Sequence, residues 1–100
     1  MRLGIMVASD RHLGHIRGIT HEALRQGHTV AIFATDEGTR LLADSRFFSL
    51  SELAGVSISY CEHSAQYHGG RPGGLPGAVV AGSQFENALM TAESDKVIVL

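Results

Sequence analysis

The feature that most constrains the fold is a pair of uninterrupted apolar segments with an amphipathic segment between them. Residues 3–8 (LGIMVA) and 29–34 (TVAIFA) have no polar face, which is typical of strands buried on both sides of a sheet. Between these segments, apolar side chains recur at the spacing of one helix face, at Leu13, Ile16, Ile19, Ala23 and Leu24. This strand–helix–strand order predicts a parallel sheet covered by helices.

Short polar and glycine signals predict where the helices of the first half begin and end. Ser9 and Asp10 supply a turn and a side-chain cap before the first helix. Gly27 is expected to end that helix, because a C-terminal cap often needs left-handed backbone. Two shorter helical turns are expected around residues 40–42 and 51–53.

A capping box predicts the last helix. Ser83 is followed three residues later by Glu86, so that each side chain can bind the other residue's backbone amide. We expect the helix to run to about Glu93 and to lead into a closing strand at residues 96–100 (KVIVL). Its apolar side chains are expected to be buried: Phe85, Ala88, Leu89 and Ala92.

Two further segments complete the predicted sheet. Residues 56–60 alternate apolar and polar side chains, and residues 78–81 form a short apolar run. Residues 69–77 hold five glycines and two prolines, so we expect a loop there. The chain is predicted to fold as one α/β domain over residues 1–100. Its open parallel sheet of about five strands would have helices on both faces, giving three layers.

The composition excludes several classes of function. The 100 residues carry a net charge of −2 and a pI near 6.3, so no basic field is present to hold nucleic acid. No apolar run is long enough to span a bilayer or to act as a signal peptide. We therefore expect no membrane partner and a cytoplasmic location. The single cysteine excludes an internal disulfide and fits a reducing compartment.

That cysteine, Cys61, follows the third predicted strand. In open parallel sheets, ligands bind at the carboxyl ends of the strands. The sequence places polar groups at four such ends, in residues 9–12, 35–37, 61–64 and 82–84. Because strand side chains alternate between faces, Cys61 shares one face with Ser57 and Ser59. This small, polar face predicts either a closely packed helix or a surface left open for a partner.

The sequence contains no established motif for a metal site or a phosphate site. Cys61, His63 and His68 form a candidate ligand set, but the chain has no pair of Cys-x-x-Cys units and no H-E-x-x-H. The glycine-rich residues 69–77 lack the Lys-Ser/Thr of a P-loop. We therefore predict no cofactor and no metal, and interpret His63 and His68 as hydrogen-bonding groups of the cysteine loop.

The residues around Cys61 have a more specific pattern. Residues 56–69 read V-S-I-S-Y-C-E-H-S-A-x-x-x-G, with a cysteine just after a strand, followed by serine and glycine. This pattern resembles the DsrE/DsrF-like family of small sulfur-relay proteins, which are related to the TusBCD components. The resemblance extends to residues 2–10, 23–42 and 82–100. The segment after the cysteine, residues 63–77, is richer in glycine than the family pattern.

The resemblance implies a flavodoxin-like sheet and persulfide chemistry at Cys61. In that family the equivalent cysteine carries sulfane sulfur and exchanges it with a partner thiol, so this chain would act as a sulfurtransferase-type carrier. His63 and Ser64 are then candidate supporting residues. The implied partners are a small TusA-like sulfur carrier protein and further subunits. Those subunits would be copies of the same chain, as a trimer or hexamer, or related chains of a hetero-oligomer.

The residues also define the physical requirements of such chemistry. The thiolate is the reactive form. A helix N-terminus directed at Cys61 and a protonated His63 would lower its pKa, whereas Glu62 would raise it, so the sequence leaves the direction open. Without a second cysteine, the sulfur acceptor must be external. Two alternatives remain. One is a non-catalytic binding or assembly module with Cys61 packed, and the other is a metal-binding protein using Cys61 with His63 and His68.

Overall fold

The computed structural model describes residues 1–69 and 73–100. The strands in these ranges are β1 (Arg2–Val7), β2 (Thr29–Ala34), β3 (Val56–Cys61), β4 (Val79–Gly82) and β5 (Lys96–Val99). The α-helices are α1 (Leu13–Arg25), α2 (Ser45–Phe48), α3 (Glu62–Tyr67) and α4 (Gln84–Glu93), and 3₁₀ helices at Asp36–Ala43 and Ser49–Glu52 flank α2. Each strand lies within one residue of its predicted bounds. None of the helices in the described ranges is long and apolar enough to cross a membrane.

The strands form one parallel sheet in the order β4-β3-β2-β1-β5. One row of β-branched side chains crosses the whole sheet at matched positions: Ile98, Ile5, Ile32, Ile58 and Val79. The three central members of this row are at most 1% exposed. Full burial of an isoleucine side chain contributes about 1.5–3 kcal/mol. The predicted open parallel α/β sheet is confirmed.

Helices cover both faces of the sheet, which gives the three expected layers. The face that carries Ile5 and Ile32 packs against α1, α2 and α3, through Ile16, Phe47 and Ala65. The opposite face carries Phe33 and packs against α4 through Met90. In the described part of the chain, this second face has α4 as its only helix. The two faces are therefore unequally covered.

The first helix lacks the cap predicted for it. His12 occupies the N-cap position and makes no side-chain cap hydrogen bond. Asp10 lies instead with its Oδ2 3.8 Å from Nη1 of Arg40, a residue far along the chain. The predicted capping role of Ser9 and Asp10 is therefore wrong, because a long-range ion pair engages the carboxylate. The predicted end is confirmed, since Gly27 follows the helix with φ +85°.

The last helix has the predicted capping box but buries a different side. Ser83 Oγ accepts from the Phe85 amide at 3.2 Å, and Glu86 Oε2 accepts from the Ser83 amide at 2.5 Å. Phe85 is nevertheless 65% exposed and Leu89 42% exposed, whereas Met90 is 5% exposed. Ala88 and Ala92 are exposed as well. The predicted burial of these four side chains is wrong, because α4 has the sheet on one side and no second helix of the described chain beside it.

The glycine- and proline-rich segment is described only in part. Residues 70–72 of the loop predicted at 69–77 lie outside the described residues. Residues 73–78 form bends and turns without helix or strand, as predicted for that part. Residues 73–77 border a pocket of about 430 Å³ together with Tyr60 and Val79. Residues 73–77 therefore lie beside the β3–β4 edge of the sheet.

Gly38 occupies a place where no side chain fits, and this gives a test of the fold. A Cβ at Gly38 would overlap the backbone oxygen of Val7, whereas a Cβ at Gly18 would meet nothing within 4 Å. We expect Gly38→Ala to lower the free energy of unfolding by about 2–3 kcal/mol. Gly18→Ala should raise it by about 0.5–1 kcal/mol, because alanine favours helix. Urea denaturation measures both, and a Gly38→Ala variant as stable as the wild type would contradict the close approach.

Candidate functional site

Cys61 is both the last residue of β3 and the N-cap residue of α3. Its side chain lies on the α4 face of the sheet, in a cluster that includes Phe33 and Met90, and the residue is 6% exposed. The predicted position of Cys61 directly after the third strand is confirmed to within one residue. The small-residue face of β3 is covered at Cys61, half-buried at Ser59 and exposed at Ser57.

The first turn of α3 directs hydrogen-bond donors at the thiol. At an N-cap, a side-chain oxygen ordinarily accepts a hydrogen bond from the amide two or three residues on. The sulfur of Cys61 makes no cap hydrogen bond of that kind. The amides of Ser64 and His63 are nevertheless close enough to favour its anionic form. Ser64 is itself 7% exposed, so its hydroxyl is held inside the site.

Polar side chains from two neighbouring strand ends complete the site. Thr35 directly follows β2 and is 3% exposed, and its Oγ1 lies 3.4 Å from Ser64 Oγ. Gln84, the first residue of α4, donates from Nε2 to Thr35 Oγ1 at 3.0 Å. The carboxyl ends of β2, β3 and β4 therefore meet around the thiol, as the parallel topology requires. We call Cys61, Ser64, Thr35 and Gln84 the thiol site.

The pKa of Cys61 is set by two opposing effects. Burial raises the pKa, because desolvation disfavours the thiolate. The hydroxyl and amide of Ser64, the side chain of Gln84 and the amide of His63 lower it by hydrogen bonding, and together they hold the pKa below its ordinary value of 9.0. The direction of the pKa shift, which the sequence leaves open, is therefore downward.

The predicted histidines are placed differently from the thiol-site residues. The side chain of His63 is exposed, and its backbone amide is the group that lowers the pKa of Cys61. His68 ends α3 with its ring edge-on to Tyr67, at 4.9 Å between ring centroids. Across residues 1–69 and 73–100, no three His, Cys, Asp or Glu side chains are grouped to hold a metal ion. Cys61, His63 and His68 are therefore not assembled as a ligand set.

Three residues near the thiol have no role in the sequence-based prediction. Thr35 and Gln84 stand at predicted strand ends, and this position was the only signal that could have found them. Asn87 is one helical turn beyond Gln84 and donates from Nδ2 to Gln84 Oε1 at 3.2 Å. These residues lie near the thiol because β2 and β4 are the neighbours of β3 in the sheet. The order of the strands cannot be deduced from the spacing of residues in the sequence.

Comparison with known proteins gives a shared fold. No protein-family model matches the chain, and no curated protein matches its sequence. Among solved structures, the ychN protein from E. coli superposes with a TM-score of 0.75 at 14% identity, covering 100% of both chains. MTH1491 from Methanobacterium thermoautotrophicum, a protein of unknown function, superposes with a TM-score of 0.67 at 18% identity. That match covers 99% of this chain and 98% of the MTH1491 chain. The whole domain therefore has the architecture of these two proteins.

The role of the Ser64 hydroxyl can be tested by removing it. Ser64→Ala retains the backbone amide but loses one donor to the thiolate, so we expect the pKa of Cys61 to rise. Less thiolate is then present at neutral pH, and alkylation by iodoacetamide slows. Alkylation rates across a pH series give the pKa directly. Ser59→Ala, on the same face of β3, is the control and should leave the pH profile unchanged. A Ser64→Ala profile identical to the wild type would contradict the assignment.

Proposed function

We propose that the chain is a DsrE/DsrF-like sulfur-relay protein that carries sulfane sulfur as a persulfide on Cys61. The observation that supports this most directly is the thiol site, in which four hydrogen-bonding contributions offset the burial of the sulfur and favour its thiolate. The pattern of residues 56–69 and the fold shared with ychN and MTH1491 agree with the proposal. In functional terms the chain would be a sulfurtransferase-type carrier.

The transfer consists of two exchanges at sulfur. In the first, the Cys61 thiolate attacks the outer sulfur of a donor persulfide, R–S–SH. The donor's S–S bond breaks, its electron pair leaves with R–S⁻, and Cys61–S–SH forms. In the second, an acceptor thiolate R′–S⁻ attacks the outer sulfur of Cys61–S–SH, giving R′–S–SH and the free Cys61 thiolate. Neither step consumes an external oxidant or reductant.

The thiol site acts in both exchanges. In the first, the donors lower the pKa of Cys61 and so increase the fraction present as the attacking thiolate. In the second, Cys61 is the leaving group, and a thiol of lower pKa leaves faster. The same contacts from Ser64 and Gln84 therefore favour loading and delivery. His63 contributes through its backbone amide in this scheme.

The lone thiol determines what kind of partner is required. The chain has one cysteine, so a persulfide on Cys61 cannot be discharged by forming an internal disulfide. The acceptor thiol must come from another molecule, and we propose a small TusA-like sulfur carrier protein in this role. Because Cys61 is 6% exposed, the acceptor has to approach at the carboxyl edge of the sheet, where the thiol site lies.

Mass spectrometry of the intact protein tests the sulfur-carrier proposal. After incubation with polysulfide or a persulfidated donor protein, we expect the wild type to gain one sulfur atom that a thiol reductant removes. Cys61→Ser should gain none. As a matched control, a Cys61→Ser/Ser59→Cys variant moves the thiol two residues along the same face of β3, away from the Ser64 and His63 amides. It should load more slowly. Absence of the adduct on the wild type, or its survival in Cys61→Ser, would refute the proposal.

One observation favours the competing function, a binding or assembly module of the same fold. Cys61 is 6% exposed and packs with Phe33 and Met90, as a structural cysteine would. The sulfur-carrier proposal requires that native protein react with both a small and a bulky maleimide. A packed cysteine would react only after denaturation. The two reagents, applied to native and unfolded protein, therefore separate the two functions.

The α4 face supports the proposal that subunits assemble. On this face, Val80 at the β4 edge and Val99 at the β5 edge are 52% and 62% exposed, and Phe85 and Leu89 on α4 are exposed as well. A groove of about 160 Å³ runs between α4 and the Ser57 side of β3. Four large apolar side chains exposed on one face are consistent with a protein interface. We propose that copies of the chain, as a trimer or hexamer, or related subunits cover this face.

Substitutions on α4 test this assembly. Phe85→Ser combined with Leu89→Ser removes exposed apolar surface without emptying the core, so we expect the fold to be retained and the oligomer to dissociate. Light scattering coupled to size-exclusion chromatography measures the mass. Tyr67→Ser is the matched control, because Tyr67 is 80% exposed on α3 and lies away from this face. If the wild type is a monomer, or if the double variant keeps its oligomeric mass, the assembly proposal fails.

A further inference from the structure

Asn87 belongs to a chain of side-chain contacts that leads to the thiol. Its Nδ2 donates to Gln84 Oε1 at 3.2 Å, and Gln84 Nε2 donates to Thr35 Oγ1 at 3.0 Å. Thr35 Oγ1 lies 3.4 Å from Ser64 Oγ, and Ser64 and Gln84 both contact Cys61. The polar side chains of β2, α3 and α4 near the thiol are thus connected in one network.

The network has a direction. Because Thr35 Oγ1 accepts from Gln84, its own hydrogen is available to Ser64, and the hydroxyl of Ser64 is then available to the sulfur. In this arrangement Thr35 donates to Ser64, and Ser64 donates to the sulfur of Cys61. The direction depends on the side-chain amide of Gln84, which has a donor end and an acceptor end. If that amide were reversed, its oxygen would face Thr35 and the thiol.

Asn87 is the residue that distinguishes the two orientations of Gln84. Its Nδ2 contacts Gln84 Oε1 and also the sulfur of Met6, at 3.7 Å. Reversing the amide of Asn87 would place its oxygen against Gln84 Oε1. The observed orientation leaves Asn87 Oδ1 buried and without a partner among the described residues. Asn87 therefore supports Gln84 through its nitrogen while its own amide oxygen stays unsatisfied.

We propose that Asn87 is a positioning residue, which holds the amide of Gln84 with its nitrogen towards Thr35 and Cys61 and thereby sets the direction of the network. Asn87 does not itself contact the thiol in this scheme and acts through Gln84. The inference rests on the proposed thiolate chemistry of Cys61, but its consequence is a change in protonation, which is measurable whether or not the thiol carries sulfur.

The ionisable groups around the thiol have to be considered with it. On α3 these are Glu62 and His63, on α4 Glu86, and after β2 Asp36 and Glu37. Glu86 is engaged in the capping box with Ser83. A substitution that alters the network without adding a charge is therefore needed beside any substitution that adds one.

Three variants of the full chain test the proposal through the pH profile of thiolate absorbance. Asn87→Ala removes the donor to Gln84 without adding a charge. In Asn87→Asp the carboxylate has nearly the same shape as the amide but can only accept hydrogen bonds. It should therefore bind the amide nitrogen of Gln84 and turn the amide oxygen of Gln84 towards the thiol. Gln66→Glu, on the exposed side of α3, adds one negative charge near Cys61 without touching the network. We expect the pKa of Cys61 to rise in Asn87→Ala and to rise further in Asn87→Asp. In Gln66→Glu it should rise much less, because the added charge is exposed to solvent and screened.

A fourth comparison shows whether Asn87 acts through Gln84. In a Gln84→Ala background the intermediary is absent, so Asn87→Ala should produce no further change in the pKa. The proposal is overturned if Asn87→Ala titrates like the wild type, if Asn87→Asp titrates like Gln66→Glu, or if Asn87→Ala has its full effect without Gln84. These results are independent of sulfur loading, so a failure here leaves the mass-spectrometric test of the carrier function intact.

Discussion

The structure depends above all on the buried row of β-branched side chains that crosses its sheet. Ile98, Ile5, Ile32, Ile58 and Val79 stand at matched positions on the five parallel strands. This alignment fixes the register, because a shift of one residue on any strand would turn its member of the row to the opposite face and out of the buried layer. Once the register is fixed, the carboxyl ends of the strands lie at one edge. The position of Cys61 relative to Thr35 and Gln84 is a consequence of that constraint.

The thiol site shows how a buried sulfur can still favour its anion. Desolvation alone would raise the pKa of Cys61, and a cysteine packed among apolar side chains would be inert. Here the first turn of α3 and the side chains of Ser64 and Gln84 supply the hydrogen bonding that water would have supplied, and the pKa is lowered. Burial is thereby combined with a lowered pKa, as the proposed sulfur carrier would require.

Helix α4 serves the site and the surface at once. Its sheet-facing side buries Met90 against Phe33, and its first turn places Gln84 at the thiol, with Asn87 bonded to Gln84. Its other side exposes Phe85 and Leu89. The side chain of Gln84 and the side chains that would bind another subunit therefore belong to the same ten-residue helix. Under the proposed assembly, subunit contacts would lie within one or two helical turns of Gln84.

The sequence by itself determined the alternation of strands and helices, the parallel sheet, the capping box at Ser83 and the placement of Cys61 after β3. These features follow from local periodicity and from residues that act on their near neighbours, which the linear sequence contains. Tertiary structure alone decided that Asp10 pairs with Arg40, that Phe85 and Leu89 are exposed, and that the pKa of Cys61 is lowered. Each of these depends on which strand ends and helix faces become neighbours. That is set by the order of the strands and by how many helices cover each face, and neither quantity is encoded in the spacing of residues along the chain.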